Sequence, residues 1–342
     1  YGITNEQNLK NREFSENGEF SFQFLEQYGM EVSSARRGRG AWICETDRGL
    51  KLLREYKGTK KRLEFEEEVL NVLKDEGLTQ VDQYVRNQEG ELQSVGQDGL
   101  RYIVKDWFSE RECDVRDEAE ILRAVAQIAR LHRILRGVKV REEWNLGSIL
   151  AEPMEEEMKR HNRELRRARS FISARRGKSD FELCVIGNFS LFFDQALEAQ
   201  RGLERMAREG REPEHYLCHG ELNQHHILMG DQDTPIIEFN RMHLGVQAAD
   251  LYHFIRKAME KHSWNLELGM KMLEAYDRIL PMGETEREYL YYLFLYPEKY
   301  WKQINFYFNA NKAWIPARNV EKLKNLEQQQ EDRNRFLSRI RG

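Results

Sequence analysis

Between His219 and Arg241 the chain reads "HGELNQHHILMGDQDTPIIEFNR", a stretch whose residue types can do acid, base or metal chemistry. A His-Gly-acid triplet, four intervening residues, a polar residue, an apolar run, a turn and a β-like "PIIEF" form the layout that phosphoryl transfer uses. In that layout an acid comes first, a metal ligand second, and another ligand at the end of a strand. Here the three positions hold Glu221, His226 and Glu238, where the chemistry ordinarily uses Asp, Asn and Asp. With His219 included the set could also bind a softer metal and serve a hydrolase, although the HExxH spacing of a helical zinc site is missing.

Transfer from a nucleotide also needs a cation on the phosphates and a carboxylate to orient it. Lys51, in the strand-like "LKLLREY", can supply the cation, and Glu67 on the following helix can pair with it. Each also has a plainer reading, Lys51 as a solvated edge-strand lysine and Glu67 as one member of the run "EFEEE". Upstream, "RRGRGAWI" contains Gly38 and Gly40, which would let backbone amides approach a phosphate; the same residues describe an ordinary exposed loop.

These residues need elements to position them. "AWICET" and "LKLLREY" flank Asp47-Arg48-Gly49, a β-hairpin signal. In "KKRLEFEEEVLNVLKDEG" the residues Leu63, Val69, Leu70 and Leu73 share one helical face and Gly77 supplies the stop. Further strands end in "LRYIVKDWF", so residues 1–108 read as a small sheet with one packed helix. From 109 to 342 helix-period patterns replace alternation, with a polar helix near Met154 to Arg176, an apolar one from Phe181 to Met206, then the segment 219–241 and more helices.

Bulk properties narrow the classes. A chain of 342 residues exceeds the size at which single cores stop growing, so two lobes are expected. Its 40% apolar and 33% charged residues describe a packed core under an ionised surface. A net charge of -4 gives no global argument for nucleic acid or an anionic membrane. Cys44, Cys113, Cys184 and Cys218 lie far apart with no CxxC, so neither a disulfide framework nor a zinc knuckle is expected. No apolar run reaches the roughly 18 residues of a membrane span, and the polar start "YGITNEQNLKNREF" is unlike a signal peptide. The basic helix "KRHNRELRRARSFISARRGK" reads as a solvated face that could also meet an acidic partner, and the aromatics of "YLYYLFLYPEKYWKQINFYFNANKAW", at helical spacing, read as core.

Together, "CHGELNQHHIL", "IIEFNR", "ADLYHFIRK", "RYIVKDWF" and the Tyr296 to Trp301 segment "YPEKYW" make the chain resemble the aminoglycoside phosphotransferase and choline kinase superfamily, and within it the CotS-type spore coat proteins of endospore-forming bacteria. The resemblance implies an α+β, protein-kinase-like two-lobed fold, with a small β-rich N-lobe and a larger, mostly helical C-lobe. It also implies roles by position. Lys51, Glu67, Gly38, Gly40, Asp106 and Phe108 would serve the nucleotide, Glu221 would take the catalytic acid's place with His219 beside it, His226 and Glu238 would take the metal-ligand places, and Asp250 would brace the loop.

Magnitudes argue that such a site is degenerate. Each Glu for Asp moves a carboxylate by about 1 Å, and a misplacement of that order can cost about 100-fold in rate. An imidazole offers nitrogen where Mg²⁺ demands oxygen in octahedral geometry. The expectation is a pseudokinase of the spore coat, made in the cytoplasm of the sporulating cell, with other coat proteins as partners. The rival expectation is an active ATP- and Mg²⁺-dependent phosphotransferase acting on a small-molecule hydroxyl.

Overall fold

Gly49 takes φ = +89°, a left-handed value that glycine adopts without a Cβ clash, and so closes the hairpin at Asp47-Arg48-Gly49. Strand β2 (Ala41–Thr46) thereby pairs antiparallel with β3 (Gly49–Glu55), setting Trp42 opposite Leu53, Ile43 opposite Leu52 and Cys44 opposite Lys51. A computed structural model describes residues 23–147, 149–310 and 315–341. The polar start and the last residues of the aromatic segment, Asn311 to Trp314, lie outside the described residues.

The sheet is larger than its sequence signal. Ahead of β2 runs β1 (Val32–Gly38), joined to it through a turn in which Arg39 and Gly40 both have positive φ, 53° and 66°. The sequence reading starts the sheet at Ala41 because β1, "VSSARRG", shows little apolar alternation; an edge strand exposes most of its length and does not need it. On the other side of β3 lies β6 (Arg101–Asp106), which also pairs with the short strands β4 (Tyr84–Val85) and β5 (Ser94–Val95). One face of this sheet packs Trp42, Cys44, Leu53 and Val104 against Phe24, Leu25, Tyr28 and Met30. The other face presents Ala41, Ile43 and Leu52 to Trp107, Leu228 and Ile237. Helix α1 (Lys60–Asp75) starts at Thr59, whose side chain accepts from the Arg62 amide, and buries Leu63, Phe65, Glu66, Val69, Leu70 and Leu73.

The chain forms two compact units. The first takes residues up to Cys113, Ile134–Ser148 and His225–Arg241; the second takes Asp114–Arg133, Ile149–Gln224 and the chain from Met242. A single cut at 108/109 therefore does not describe the chain, and the segment 219–241 divides at Gln224/His225. Leu228 and Ile237 belong with the sheet because they complete its apolar face, and β9 (Leu228–Met229) pairs with β7 (Arg111–Glu112).

The second unit is helical, and most of helix α2 (Glu118–Leu135) belongs to it. Helix α3 (Met154–Ala174) turns Met158, Leu165, Ala168 and Ile172 inward. Helix α4 (Asp180–Arg208), begun by a capping box of Ser179 and Glu182, buries Val185, Phe189, Phe192, Ala196, Ala199 and Leu203. Most of the described aromatics of the C-terminal segment are core, as their spacing indicates: Tyr289, Tyr292, Phe294, Tyr296, Tyr300 and Tyr307 are buried, Tyr291, Trp301 and Phe308 are half-buried, and Phe306 is exposed. No helix among the described residues is long and apolar enough to cross a membrane, and the four cysteines are free thiols.

Gly202 of α4 has a packing reason to be glycine. A Cβ there would lie 2.1 Å from Tyr292 Cε1, and that ring is pinned by the hydrogen bond from Arg205 to its hydroxyl at 2.6 Å. Gly202→Ala is expected to lower stability by about 1–3 kcal/mol by overpacking, despite alanine's higher helix propensity. Urea denaturation checks this; a variant as stable as wild type would mean that the Tyr292 ring can move aside.

Candidate functional site

In the first unit the pleat of β3 decides which side chains face the chemistry. Lys51 and Leu53 point to the face occupied by Cys44 and Trp42, whereas Leu52 packs with Ile237 on the opposite face. Lys51 is buried there, with Nζ donating to Asp106 Oδ1 at 2.8 Å and to the Arg48 carbonyl at 2.7 Å. The pair expected between Lys51 and Glu67 is absent: Glu67 accepts two hydrogen bonds from Arg86, at 2.8 and 2.5 Å. The cation beside Glu238 is instead Arg54, two residues on from Leu52 and so on its face, with Nη2 at 2.9 Å from Glu238 Oε1.

On α1 the residue turned inward lies one position from the expected one. Glu66, not Glu67, is turned inward, accepting from Arg62 Nε at 2.7 Å and from the Tyr84 hydroxyl at 2.6 Å. Arg62 also reaches the Asn240 carbonyl at 3.1 Å. Arg54, Glu66, Asp82 and Lys105 are the residues missed from the sequence. Alternation in "LKLLRE" puts Lys51 with Leu53 on one face and Arg54 with Leu52 on the other, and both leucines are buried, so the sequence carried no signal that chose between the two basic residues.

Glu238 is the best-defined point of this unit. It adopts φ = +67°, unusual for a side-chain-bearing residue, and its amide is held by Asp82 Oδ2 at 2.9 Å. Burial alone would raise the Glu238 carboxyl. The charge and hydrogen bond of Arg54, followed by Lys105 and His226, reverse that and leave it below the usual carboxylate range. Asp82 is fully buried against Lys105 Nζ at 2.9 Å, and its Oδ1 has no partner. Burial dominates there and keeps its carboxyl raised, against the opposing pull of Lys105.

The remaining predicted residues make the following local contacts. Gly38 ends β1 with its Cβ position 3.0 Å from Ile43 Cδ1, and Gly40 supplies the turn. Arg39 between them donates to the His225 carbonyl at 3.0 Å and lies over the Trp107 ring. Asp106 is the partner of Lys51, and Phe108 packs on the cluster of Leu52, Trp107 and Ile237. The His226 carbonyl accepts from the Ile237 amide at 3.0 Å.

In the second unit the chain after β8 (Tyr216–Cys218) is built around Asp250 of α5 (Gln247–Lys261). Asp250 accepts from the amides of His219 at 2.7 Å and Gly220 at 3.0 Å, and from His132 Nε2 at 3.0 Å. His132 Nδ1 meets the Tyr276 hydroxyl at 2.8 Å, and Gln247 donates to the His132 and Leu217 carbonyls. His219 is fully buried, and its Nδ1 accepts the Glu221 amide at 3.1 Å, so its ring holds the turn that carries Glu221. Gly220 makes that turn at φ = +92°.

Among the described residues no group of three or more His, Cys, Asp or Glu side chains gathers to hold a metal ion, so the softer-metal alternative lacks a ligand set. Magnesium, which the layout implies, fits the residues poorly on the same grounds. The Glu238 carboxylate is engaged by Arg54, and His226 offers nitrogen.

Residues 34–289 match the phosphotransferase enzyme family (APH). The chain is 21% identical over 315 residues to spore coat protein S of Bacillus subtilis (strain 168), covering 90% of this chain and 89% of that protein. Among solved structures it is similar to an aminoglycoside phosphotransferase from Alicyclobacillus acidocaldarius, at TM-score 0.80 and 16% identity over 93% of this chain and 94% of that one. It is also similar to spectinomycin phosphotransferase in complex with ADP and spectinomycin, at TM-score 0.61 and 13% identity over 93% of each chain. These two likenesses show the fold, a kinase-like one with a small antiparallel sheet and a helical lobe.

Asp250 generates a pH prediction. Burial would raise its carboxyl, but the hydrogen bond and charge of His132, then His219 and the Gly220 amide, bring it down to about 2. A depressed native value stabilises fully above the unfolded value near 3.8 and is lost as pH falls through about 2. Asp250→Asn is expected to destabilise by about 2–4 kcal/mol at neutral pH and to flatten the stability profile between those two pH values, read from urea midpoints. An Asn variant with the wild-type acid slope would show that Asp250 is not the titrating group.

Proposed function

We propose that this chain, which belongs to the phosphotransferase enzyme family (APH), has given up efficient magnesium-dependent phosphoryl transfer and serves as a protein of the spore coat. The observation that carries the first half is the donor chemistry at Glu221, His226 and Glu238. Two acids are one methylene longer than the chemistry ordinarily uses, and an imidazole stands where Mg²⁺ prefers oxygen. Phosphoryl transfer is almost wholly positioning and charge stabilisation, so small displacements at several positions multiply. If the penalties act independently, the loss is about 10⁴-fold or more.

The second half is supported by the likeness to spore coat protein S along nearly the whole length of both chains. On this reading the protein is made in the cytoplasm of the sporulating cell and ends in the coat, with other coat proteins as its partners. Helix α3 offers a contact surface of suitable character. Its apolar side packs inward while Arg163, Arg166, Arg167 and Arg169 are exposed, and the guanidinium groups of Arg166 and Arg169 lie over Phe193 and Phe189 at 5.2 and 5.1 Å. A cation held over a ring is oriented and partly desolvated, which suits it to an acidic partner surface.

Purified protein with ATP and Mg²⁺ is expected to show no rise in melting temperature and no ATP turnover above background. Turnover abolished by Glu221→Ala would overturn the reading in favour of an active kinase of a small-molecule hydroxyl. Replacing the exposed Arg163 and Arg167 by alanine is expected to reduce the fraction of protein recovered in isolated coats without changing its melting temperature. Unchanged recovery would remove α3 as the contact.

A further inference from the structure

We infer that Arg54 is a resident cation that stands at Glu238 in place of a divalent metal ion, so that the first unit is a metal-independent version of its scaffold. The inference rests on the reading of a degenerate site given above and names how that degeneracy is built. Arg54 and Glu238 form one ion pair at 2.9 Å, and Lys105 and Asp82 form a second at 2.9 Å. The two are joined by the Glu238 amide, which donates to Asp82 Oδ2 at 2.9 Å. Two positive and two negative charges therefore close on one another within a few residues' width. The Lys105–Asp82 pair is almost wholly excluded from solvent, with side-chain exposures of 2% and 0%, and Glu238 retains only 12%.

Three features make this a replacement rather than an incidental surface bridge. First, Arg54 is anchored at a second point, its Nη2 also donating to the Arg39 carbonyl at 3.3 Å, so the guanidinium is held in register with the β1–β2 turn. Second, a guanidinium keeps its charge at any physiological pH, whereas a lysine in such a place could lose its proton. Third, the extra methylene of Glu238 now has a purpose. The longer acid brings its carboxylate to the strand-borne Arg54, while its backbone, at φ = +67°, stays clamped to Asp82. A divalent ion approaching Glu238 would meet the positive charges of Arg54 and of the buried Lys105, which oppose its binding.

The test is direct binding of Mn²⁺, followed by its paramagnetic resonance signal, to wild type, Arg54→Gln, Glu238→Gln and the double variant, with folding checked by circular dichroism. Wild type is expected to show no saturable site that depends on Glu238. Arg54→Gln is expected to bind at least about ten-fold more tightly than wild type, the size of coupling typical when two ligands compete for one group. The double variant should lose that gain. A wild-type site lost in Glu238→Gln would overturn the inference, as would a folded Arg54→Gln that binds no better than wild type. If Arg54→Gln does not fold, the comparison of wild type with Glu238→Gln still decides, because a Glu238-dependent site in wild type refutes a resident cation and its absence supports one. ATP turnover is not the readout, so an active enzyme would defeat the degenerate-site reading through a separate experiment.

Discussion

A carboxylate taken out of water has to be answered by donors, and two buried aspartates, one in each compact unit, organise the backbone around them. In the first unit Asp82 clamps the amide of Glu238 and is answered by Lys105. In the second, Asp250 clamps the amides of His219 and Gly220 and is answered by His132. Each therefore holds a backbone segment that carries chemistry-bearing side chains: Glu238 is kept at a positive φ that a side-chain-bearing residue rarely adopts, and Gly220 supplies the turn before Glu221. Removing either aspartate would leave buried donors unpaired, which is costlier than any single surface contact.

The consequence is a separation between what holds the segments and what they present. The brace in the second unit, His132, Tyr276, Gln247 and Asp250, reaches Glu221 through its amide and the ring of His219, so the turn does not depend on which acid Glu221 is. In the first unit the support and the presented group are less separable, because Glu238 lies within the same closed set of charges as Arg54, Asp82 and Lys105. A member of a phosphotransferase family can in this way keep its fold while the donor atoms change, since the folding energy resides mainly in the apolar faces of sheet and helices and in the braces.

Much of this was legible in the residues. The hairpin around Gly49, the helix from Lys60, the polar helix after Met154 and the buried C-terminal aromatics follow from turn chemistry and periodicity. The contribution of Leu228 and Ile237 to the sheet's core was not legible, because strands and bridges of two or three residues carry no period of their own. Strand β1 escaped for a related reason, being an edge strand with few inward residues.

What the sequence determined by itself was the class of fold and the segment in which Glu221, His226 and Glu238 stand at positions where the phosphoryl-transfer layout ordinarily has Asp, Asn and Asp. What only the tertiary structure decided was which charged residue meets which partner: Arg54, an odd number of steps on from Lys51 and so on the other face, pairs with Glu238, and Glu66 rather than its neighbour Glu67 is turned inward. The reason is geometric. One step along a strand reverses the face, and one step along a helix turns a side chain by about 100°, so residues adjacent in a charged run are equivalent as letters and become distinct only when the apolar faces beside them are packed.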